Sequence, residues 1–208
     1  MNVHGQGLFG YLSSHIGNLA FLKFIKLRQS RYYSEIPQEV GQLSLSRYLN
    51  LTNNSFAGEI PVNLSHCIPL KVIDALLNRL VGRIAFELGS LKNLEGLSFG
   101  KNNLTGEIPQ SFGTLISLRR IYLSYNNLKG PIPQELGQLT SLYSIGVDAN
   151  YLSGTLPSSI YNISTLAGIS ASSNILQGNL PANMGLTLPN IQDFLLGGNQ
   201  IEGTIPVS

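Results

Sequence analysis

Residue types that perform enzyme chemistry are present in this chain, but they are scattered along it. Acidic residues such as Glu59, Glu107 and Glu135 are isolated from one another, and no Ser, His and Asp combination recurs along the sequence. There is also no Walker, kinase or zinc motif. We therefore expect this segment to be neither an enzyme nor the holder of a metal or cofactor.

The cysteine, the histidines and one glycine motif have ordinary explanations. Cys67 is the only cysteine, so no disulfide can form within the chain, and it occupies a position held elsewhere by leucine. The histidines lack the spacing of metal ligands. GQGLFG at residues 5–10 matches a dinucleotide-binding motif, but we interpret Gln6 and Gly10 as positions of a repeat.

Arginine and tyrosine are the residues most often found at binding hot spots, and several of them lie in the predicted strand region of the middle repeats. Together with one acidic residue they form the cluster that we predict to bind a ligand: Arg119, Arg120, Tyr122, Tyr125, Tyr143 and Asp148. The alternative interpretation is that these side chains belong to an ordinary solvated face.

Acceptor sequons for N-linked glycans indicate a second kind of chemistry. The pattern N-x-S/T occurs at Asn50, Asn53, Asn63, Asn103 and Asn162. An asparagine-rich chain produces some matches by chance, but this number exceeds our expectation and favours a secreted protein. We expect Asn50 on the exposed side of a strand, where a glycan would cover part of the binding surface.

A repeat of 24 residues must position all of these groups. Its clearest copy is LRRIYLSYNNLKGPIP at residues 118–133, in which Asn126 holds the key polar position. Ser30 and Gln6 hold this position early in the chain. Steps of 24 residues, with a last step of 25, bring other asparagines to it: Asn54, Asn78, Asn102, Asn150, Asn174 and Asn199. This period, with this spacing of leucine and asparagine, is the signature of leucine-rich repeats.

Each repeat predicts one coil of a solenoid. The alternation of Ile121 and Leu123 with Tyr122 predicts a short strand with one buried face. The amide of Asn126 offers donors and an acceptor, so stacked copies would form a ladder. QELGQL at residues 134–139 would return to the next strand as a 3₁₀ turn. We therefore predict an α/β-type leucine-rich-repeat solenoid over residues 1–208: a right-handed superhelix with a parallel concave β-sheet, short 3₁₀ or irregular convex segments and about nine repeats.

Charge and hydropathy narrow the partners of this solenoid. The net charge of +2 gives no electrostatic reason to bind nucleic acid, and no apolar run is long enough to cross a membrane.

Ser34 and Ser46 replace a glycine and an apolar residue, so we expect a loosened or bulged surface there. The sequence opens and closes within repeats, without caps or a signal peptide, and we expect a fragment of a longer protein.

The endings G-x-I-P followed by L-G-x-L, as in LTGEIPQSFGTL and LKGPIPQELGQL, resemble plant extracellular leucine-rich repeats over essentially the whole chain. NLPANMGLTLPNI resembles a longer repeat of the subfamily of rice bacterial-blight resistance receptor kinases. This resemblance implies the ectodomain of a receptor-like Ser/Thr kinase at the extracellular face of the plasma membrane. It also implies a peptide or microbial protein ligand, a co-receptor kinase, and a role in pathogen recognition and defence signalling.

Two other functions stay open at this point. The chain is also similar to soluble inhibitors of secreted enzymes, such as the polygalacturonase-inhibiting proteins, which share the 24-residue repeat. A truncated gene product without function is the other alternative. A kinase domain downstream in the gene would support the receptor, whereas a stop after about ten repeats would support the inhibitor.

Overall fold

The computed structural model describes residues 1–2 and 8–204, which wind through successive coils as a leucine-rich-repeat solenoid. This architecture confirms the predicted fold class of parallel strands and short 3₁₀ turns. Each regular coil contributes a strand to a concave sheet, a second extended segment and a return turn. Part of the GQGLFG motif, including Gln6, lies outside the described residues.

The concave face is one parallel sheet of eight strands. Equivalent residues of neighbouring coils lie side by side, so Ile121 pairs with Leu97 on one side and with Ile145 on the other. These central residues are buried, whereas the residues before and after them face outward. In chain order the strands are Phe24–Lys26, Tyr48–Asn50, Val72–Asp74, Gly96–Ser98, Arg120–Tyr122, Ser144–Gly146, Gly168–Ser170 and Asp193–Leu195.

Short 3₁₀ turns form the opposite, convex side, and proline precedes most of them. Pro133 accepts a hydrogen bond at its carbonyl from the Leu136 N–H at 3.2 Å, which closes the first turn after the strand. The ring of proline fixes φ in the range that such a turn start requires. The turns are Ser14–Asn18, Gln38–Gln42, Val62–His66, Phe86–Ser90, Gln110–Thr114, Gln134–Gln138 and Ser158–Asn162.

The last return segment differs, as the extra residue in LPANMGLTLPNI suggested: it contains an α-helical turn, Met184–Thr187. Most of the other turns meet the following turn at a glycine, and a Cβ on Gly137 would lie only 2.3 Å from the Cβ of Ser159. Tyr161 holds this glycine position one coil later, and its buried side chain has a pKa raised to about 12 by desolvation. Because a tyrosine ring does not fit a glycine-sized gap, the following segment takes a different path.

A second set of parallel strands along the side of the solenoid was missing from the sequence prediction. After the ladder asparagine the chain becomes extended again, as in Asn127–Pro131, and glycines such as Gly130, with φ of 76°, bend it toward the return turn. Around Asn78 the pairing consists only of isolated bridges. The strands form two lateral sheets: Phe9–Tyr11, Arg31–Glu35 and Ser55–Ala57, then Thr105–Gly106, Asn127–Pro131, Tyr151–Gly154, Ile175–Asn179 and Gln200–Glu202.

The expected loosening or bulging of the surface near Ser46 was wrong. The concave strand that follows it pairs in register, with Leu49 opposite Ile25. Ser46 is buried at a core position that Leu70 fills in the next coil, and its hydroxyl has no hydrogen-bond partner. The irregularity therefore lies inside the solenoid, because backbone pairing holds the surface path while the core absorbs the change.

Candidate functional site

The asparagine ladder holds the concave surface in place. Asn126 Nδ2 donates hydrogen bonds to the carbonyls of Phe99 and Leu123, both at 3.0 Å. Its Oδ1 accepts a hydrogen bond from the Leu104 N–H at 3.0 Å. Phe99 and Leu104 belong to the preceding coil and Leu123 to the same coil, so one buried amide joins two coils at the end of their strands.

Every other asparagine at this position makes the corresponding bonds to its own coil and to the one before it. Asn102, for example, donates to Ala75 and Phe99 and accepts from the Leu80 N–H. The remaining members are Asn54, Asn78, Asn150, Asn174 and Asn199. Ser30 holds the position in the earlier coil, and its buried hydroxyl has no partner in the described structure. The ladder thus pre-orders the concave face from Asn54 onward.

A left-handed backbone conformation precedes each ladder residue and directs one side chain outward per coil. Tyr125 has φ of 60° and Lys101 has φ of 53°. The Lys101 ammonium lies 5.4 Å from the centroid of the exposed Tyr125 ring, within the range of a cation–π contact. This row runs along the edge of the concave sheet, where the backbone N–H of Tyr125 donates a hydrogen bond to the carbonyl of Asp148 in the next coil at 2.8 Å.

Three of the predicted residues do meet on the concave face. Arg120 and Tyr122 flank the buried Ile121 on one strand, and the guanidinium carbon of Arg120 lies 5.9 Å from the ring centroid of Tyr143 in the next coil. Tyr122 leans the same way, because a Cβ on Gly146 would lie 3.1 Å from its ring. We call Arg120, Tyr122 and Tyr143 the Arg120 patch.

Arg119 belongs to a different surface. It precedes the strand and lines an open groove of about 770 Å³ along the other edge of the concave sheet. Glu95 also lines this groove and forms a salt bridge to Lys71, with a distance of 2.6 Å between Lys71 Nζ and Glu95 Oε1. Tyr143 contributes to both the groove and the Arg120 patch, which makes it the link between the two surfaces.

Asp148 was predicted to bind ligand, but its carboxylate is occupied by neighbouring coils. Oδ2 accepts a hydrogen bond from Ser124 Oγ at 2.9 Å. Oδ1 accepts one from the Ser172 N–H at 3.0 Å and another from Ser170 Oγ. The carboxylate therefore connects three coils within the concave face. Sequence reasoning missed these serines because each resembles a neutral surface residue when its coil is considered alone.

The predicted glycan acceptors fall into two groups. Asn53, Asn103 and Asn162 are exposed. Asn63 is partly buried in a convex turn, and Asn50 is partly buried on the concave face. Both polar atoms of the Asn50 amide are engaged, since Nδ2 donates to Asp74 and Oδ1 accepts from the Thr52 N–H. Exposure therefore favours the first group as acceptors.

The cysteine is part of the core. Cys67 is buried, its Sγ donates to the carbonyl of Val40 at 3.2 Å, and desolvation raises the pKa of its thiol to about 11. The described residues contain no group of three or more His, Cys, Asp and Glu side chains that could hold a metal ion. Among them there is also no helix long and apolar enough to cross a bilayer.

Comparison with known proteins agrees with this architecture. The Leucine Rich Repeat family matches residues 47–67, 93–115 and 117–139. A comparison with curated protein sequences finds no match. Among solved structures, the ectodomain of the Arabidopsis thaliana membrane receptor kinase GASSHO1/SCHENGEN3, in complex with CASPARIAN STRIP INTEGRITY FACTOR 2, is 32% identical with a TM-score of 0.96. The match covers 99% of this chain and 25% of that one.

Two further plant receptors are similar. The Arabidopsis receptor kinase HAESA, with an N-terminally extended IDA peptide, is 34% identical with a TM-score of 0.91, over 96% of this chain and 33% of its own. The peptide hormone receptor RGFR1, with RGF2, is 31% identical with a TM-score of 0.88, over 96% and 36%. The chain thus spans between a quarter and about a third of the ectodomains that it resembles.

Proposed function

We propose that this chain is a ligand-recognition segment of a plant receptor-like Ser/Thr kinase and binds an extended peptide across its concave face. The observation that carries the proposal is the Arg120 patch, which projects from a sheet held by the buried asparagine ladder. Arginine and tyrosine are enriched at hot spots because they combine large contact areas with directional hydrogen bonding. A pre-ordered surface also lowers the entropic cost of binding a flexible peptide.

The charge of Arg120 supports a ligand with an acidic group. Among the described residues, Lys71 and Glu95 form the only salt bridge. Arg120 therefore contacts the Tyr143 ring and has no carboxylate partner there. Asp148 is the acid of the predicted ligand-binding cluster, and its carboxylate oxygens accept hydrogen bonds from serines and a backbone N–H. An acidic side chain of a peptide would supply the missing counter-charge and a bidentate acceptor.

The finer assignment to pathogen recognition and defence signalling rests on NLPANMGLTLPNI, at residues 179–191, and its resemblance to repeats of the rice bacterial-blight resistance receptor kinases. In this proposal the solenoid lies at the extracellular face of the plasma membrane and its ligand is a peptide or microbial protein. A co-receptor kinase is the further partner we propose, supported by the structure of the similar receptor HAESA with IDA and the co-receptor SERK1.

Panning a display library of random dodecapeptides on the purified protein tests the proposal. We expect enrichment of acidic peptides, and we expect the triple variant Arg120→Ala, Tyr122→Ala, Tyr143→Ala to lose about tenfold or more of their affinity. Lys129→Ala with Tyr151→Ala, two exposed residues of a lateral strand pair, is the matched control. Equal affinity of the two variants would show that the Arg120 patch does not bind the peptide.

A further inference from the structure

One coil of the concave face carries almost no side-chain volume. Gly96 and Ser98, both half-buried, hold the outward strand positions of the coil that contains Asn102, and the buried Gly100 follows them. The neighbouring strands carry Val72 and Arg120 beside Gly96, and Tyr122 beside Ser98. We call this depression the glycine trench and define it by its floor and two walls: Gly96 and Ser98 below, Val72 and Leu76 on one side, and Arg120 and Tyr122 on the other.

The wall nearer the N-terminus is apolar. Val72 and Leu76 are partly exposed, and a Cβ on Gly100 would lie 3.1 Å from Leu76 Cδ1. Asp74 lies between them, but its carboxylate accepts hydrogen bonds from Asn50 Nδ2 at 3.3 Å and from the Leu76 N–H at 3.2 Å. Because these donors from the same coil and the preceding coil satisfy the Asp74 carboxylate, the wall presents mainly the aliphatic carbons of Val72 and Leu76 to the trench.

The opposite wall leans away from the trench and leaves it open. Arg120 extends toward Tyr143, and the ring of Tyr122 lies over Gly146, both on the far side. A Cβ on Gly96 would find Val72 methyl carbons, the nearest at 3.7 Å, as its nearest neighbours. The space above Gly96 is therefore bordered by the aliphatic carbon of Val72 on one side and is open toward the strand of Arg120 on the other.

We infer that the glycine trench is a pocket for one large apolar side chain of the peptide ligand, an inference that rests on the proposed function. The walls are two strand spacings apart, roughly 10 Å, which leaves room for a leucine or phenylalanine side chain between them. In an extended peptide, side chains on one face recur about every 7 Å. The acidic group that complements Arg120 therefore lies two positions from the apolar residue.

Filling the trench tests this inference. Gly96→Leu places a side chain into the pocket without disturbing the backbone, since Gly96 is outside the left-handed region and a Cβ on it would make only ordinary van der Waals contact. Gly168→Leu is the matched control, because Gly168 occupies the same row and strand position, near Ser144. Melting curves by circular dichroism verify that both variants remain folded.

The probes are dodecapeptides selected from the random library on the unsubstituted protein. We expect them to share a Leu, Ile or Phe two residues from an acid, and Gly96→Leu to weaken their binding about tenfold, with Gly168→Leu unchanged. Unchanged binding to Gly96→Leu, while the Arg120 triple variant still loses affinity, would overturn the pocket and leave the proposed function standing. Failure of the unsubstituted protein to enrich any peptide would overturn both.

Discussion

The middle coils and the early coils of this solenoid follow the same path with very different interiors. In the middle, Asn126 satisfies two carbonyls and one N–H across a coil boundary. In the early region, Ser30 and Ser46 bury hydroxyls without partners. Strand register is nevertheless preserved in both regions. The comparison indicates that backbone pairing sets the path, whereas side chains inside each coil set its local stability.

The early region also has a packing defect. Ser46 and Cys67 both replace leucine and line one narrow gap in the core that is too small to hold a water molecule. The equivalent positions of the middle coils are filled by leucines such as Leu118 and Leu139, which are fully buried. Since unfilled space forfeits dispersion contacts, we expect the early coils to open first during unfolding.

We expect the largest change in the free energy of unfolding from removing a ladder asparagine in the middle coils. Asn126→Ala leaves the Leu104 N–H without a partner, while the Phe99 and Leu123 carbonyls each lose one donor and keep another, from Asn102 and Asn150. The free energy of unfolding should therefore fall by about 2 to 3 kcal/mol. Urea denaturation followed by circular dichroism measures the change. Asn127→Ala, at the exposed neighbouring residue, is the control and should change stability little. Ser30→Ala should also be nearly neutral, and an effect as large as that of Asn126→Ala would refute the contrast between the regions.

We expect a smaller change of opposite sign in the free energy of unfolding when leucine replaces the buried Ser46. Ser46→Leu removes an unpartnered hydroxyl and restores the leucine that neighbouring coils carry at this position, so we expect stabilisation by about 1 kcal/mol after some strain from repacking. Slower amide hydrogen exchange in residues 40–70 is the local measurement. The reverse change in a regular coil, Leu142→Ser, should speed exchange there. Destabilisation by Ser46→Leu would mean that the gap does not accept a leucine side chain.

The smallest effect on stability at neutral pH comes from the thiol of Cys67. Burial of this thiol raises its pKa from 9.0 to about 11. Because the folded state disfavours the thiolate, this contribution to stability is complete below pH 9 and is lost as the pH rises toward 11. Iodoacetamide at pH 8 should therefore modify the folded chain at least about tenfold more slowly than the chain in urea. Equal rates would place the gap in contact with solvent and weaken the comparison of the two regions.

The period of the sequence predicted the solenoid and the position of each ladder asparagine, because identical local patterns must form identical coils. It did not predict the lateral sheets, since a segment such as Asn127–Pro131 has neither alternation nor strong strand-forming residues. Arg120, Ile121 and Tyr122 could be assigned to their faces by alternation alone. The role of Asp148 depends on serines in adjacent coils, and it becomes visible only when the coils are aligned row by row.

The left-handed residue before each ladder asparagine limits how this surface can diversify. A side chain branched at Cβ clashes with the backbone in that conformation, whereas glycine and asparagine adopt it most easily. The row contains no valine, isoleucine or threonine: it reads Gln29, Asn53, Leu77, Lys101, Tyr125, Ala149, Ser173 and Gly198. Randomised libraries built on this scaffold can therefore vary charge, length and aromaticity along that edge, provided that β-branched codons are left out.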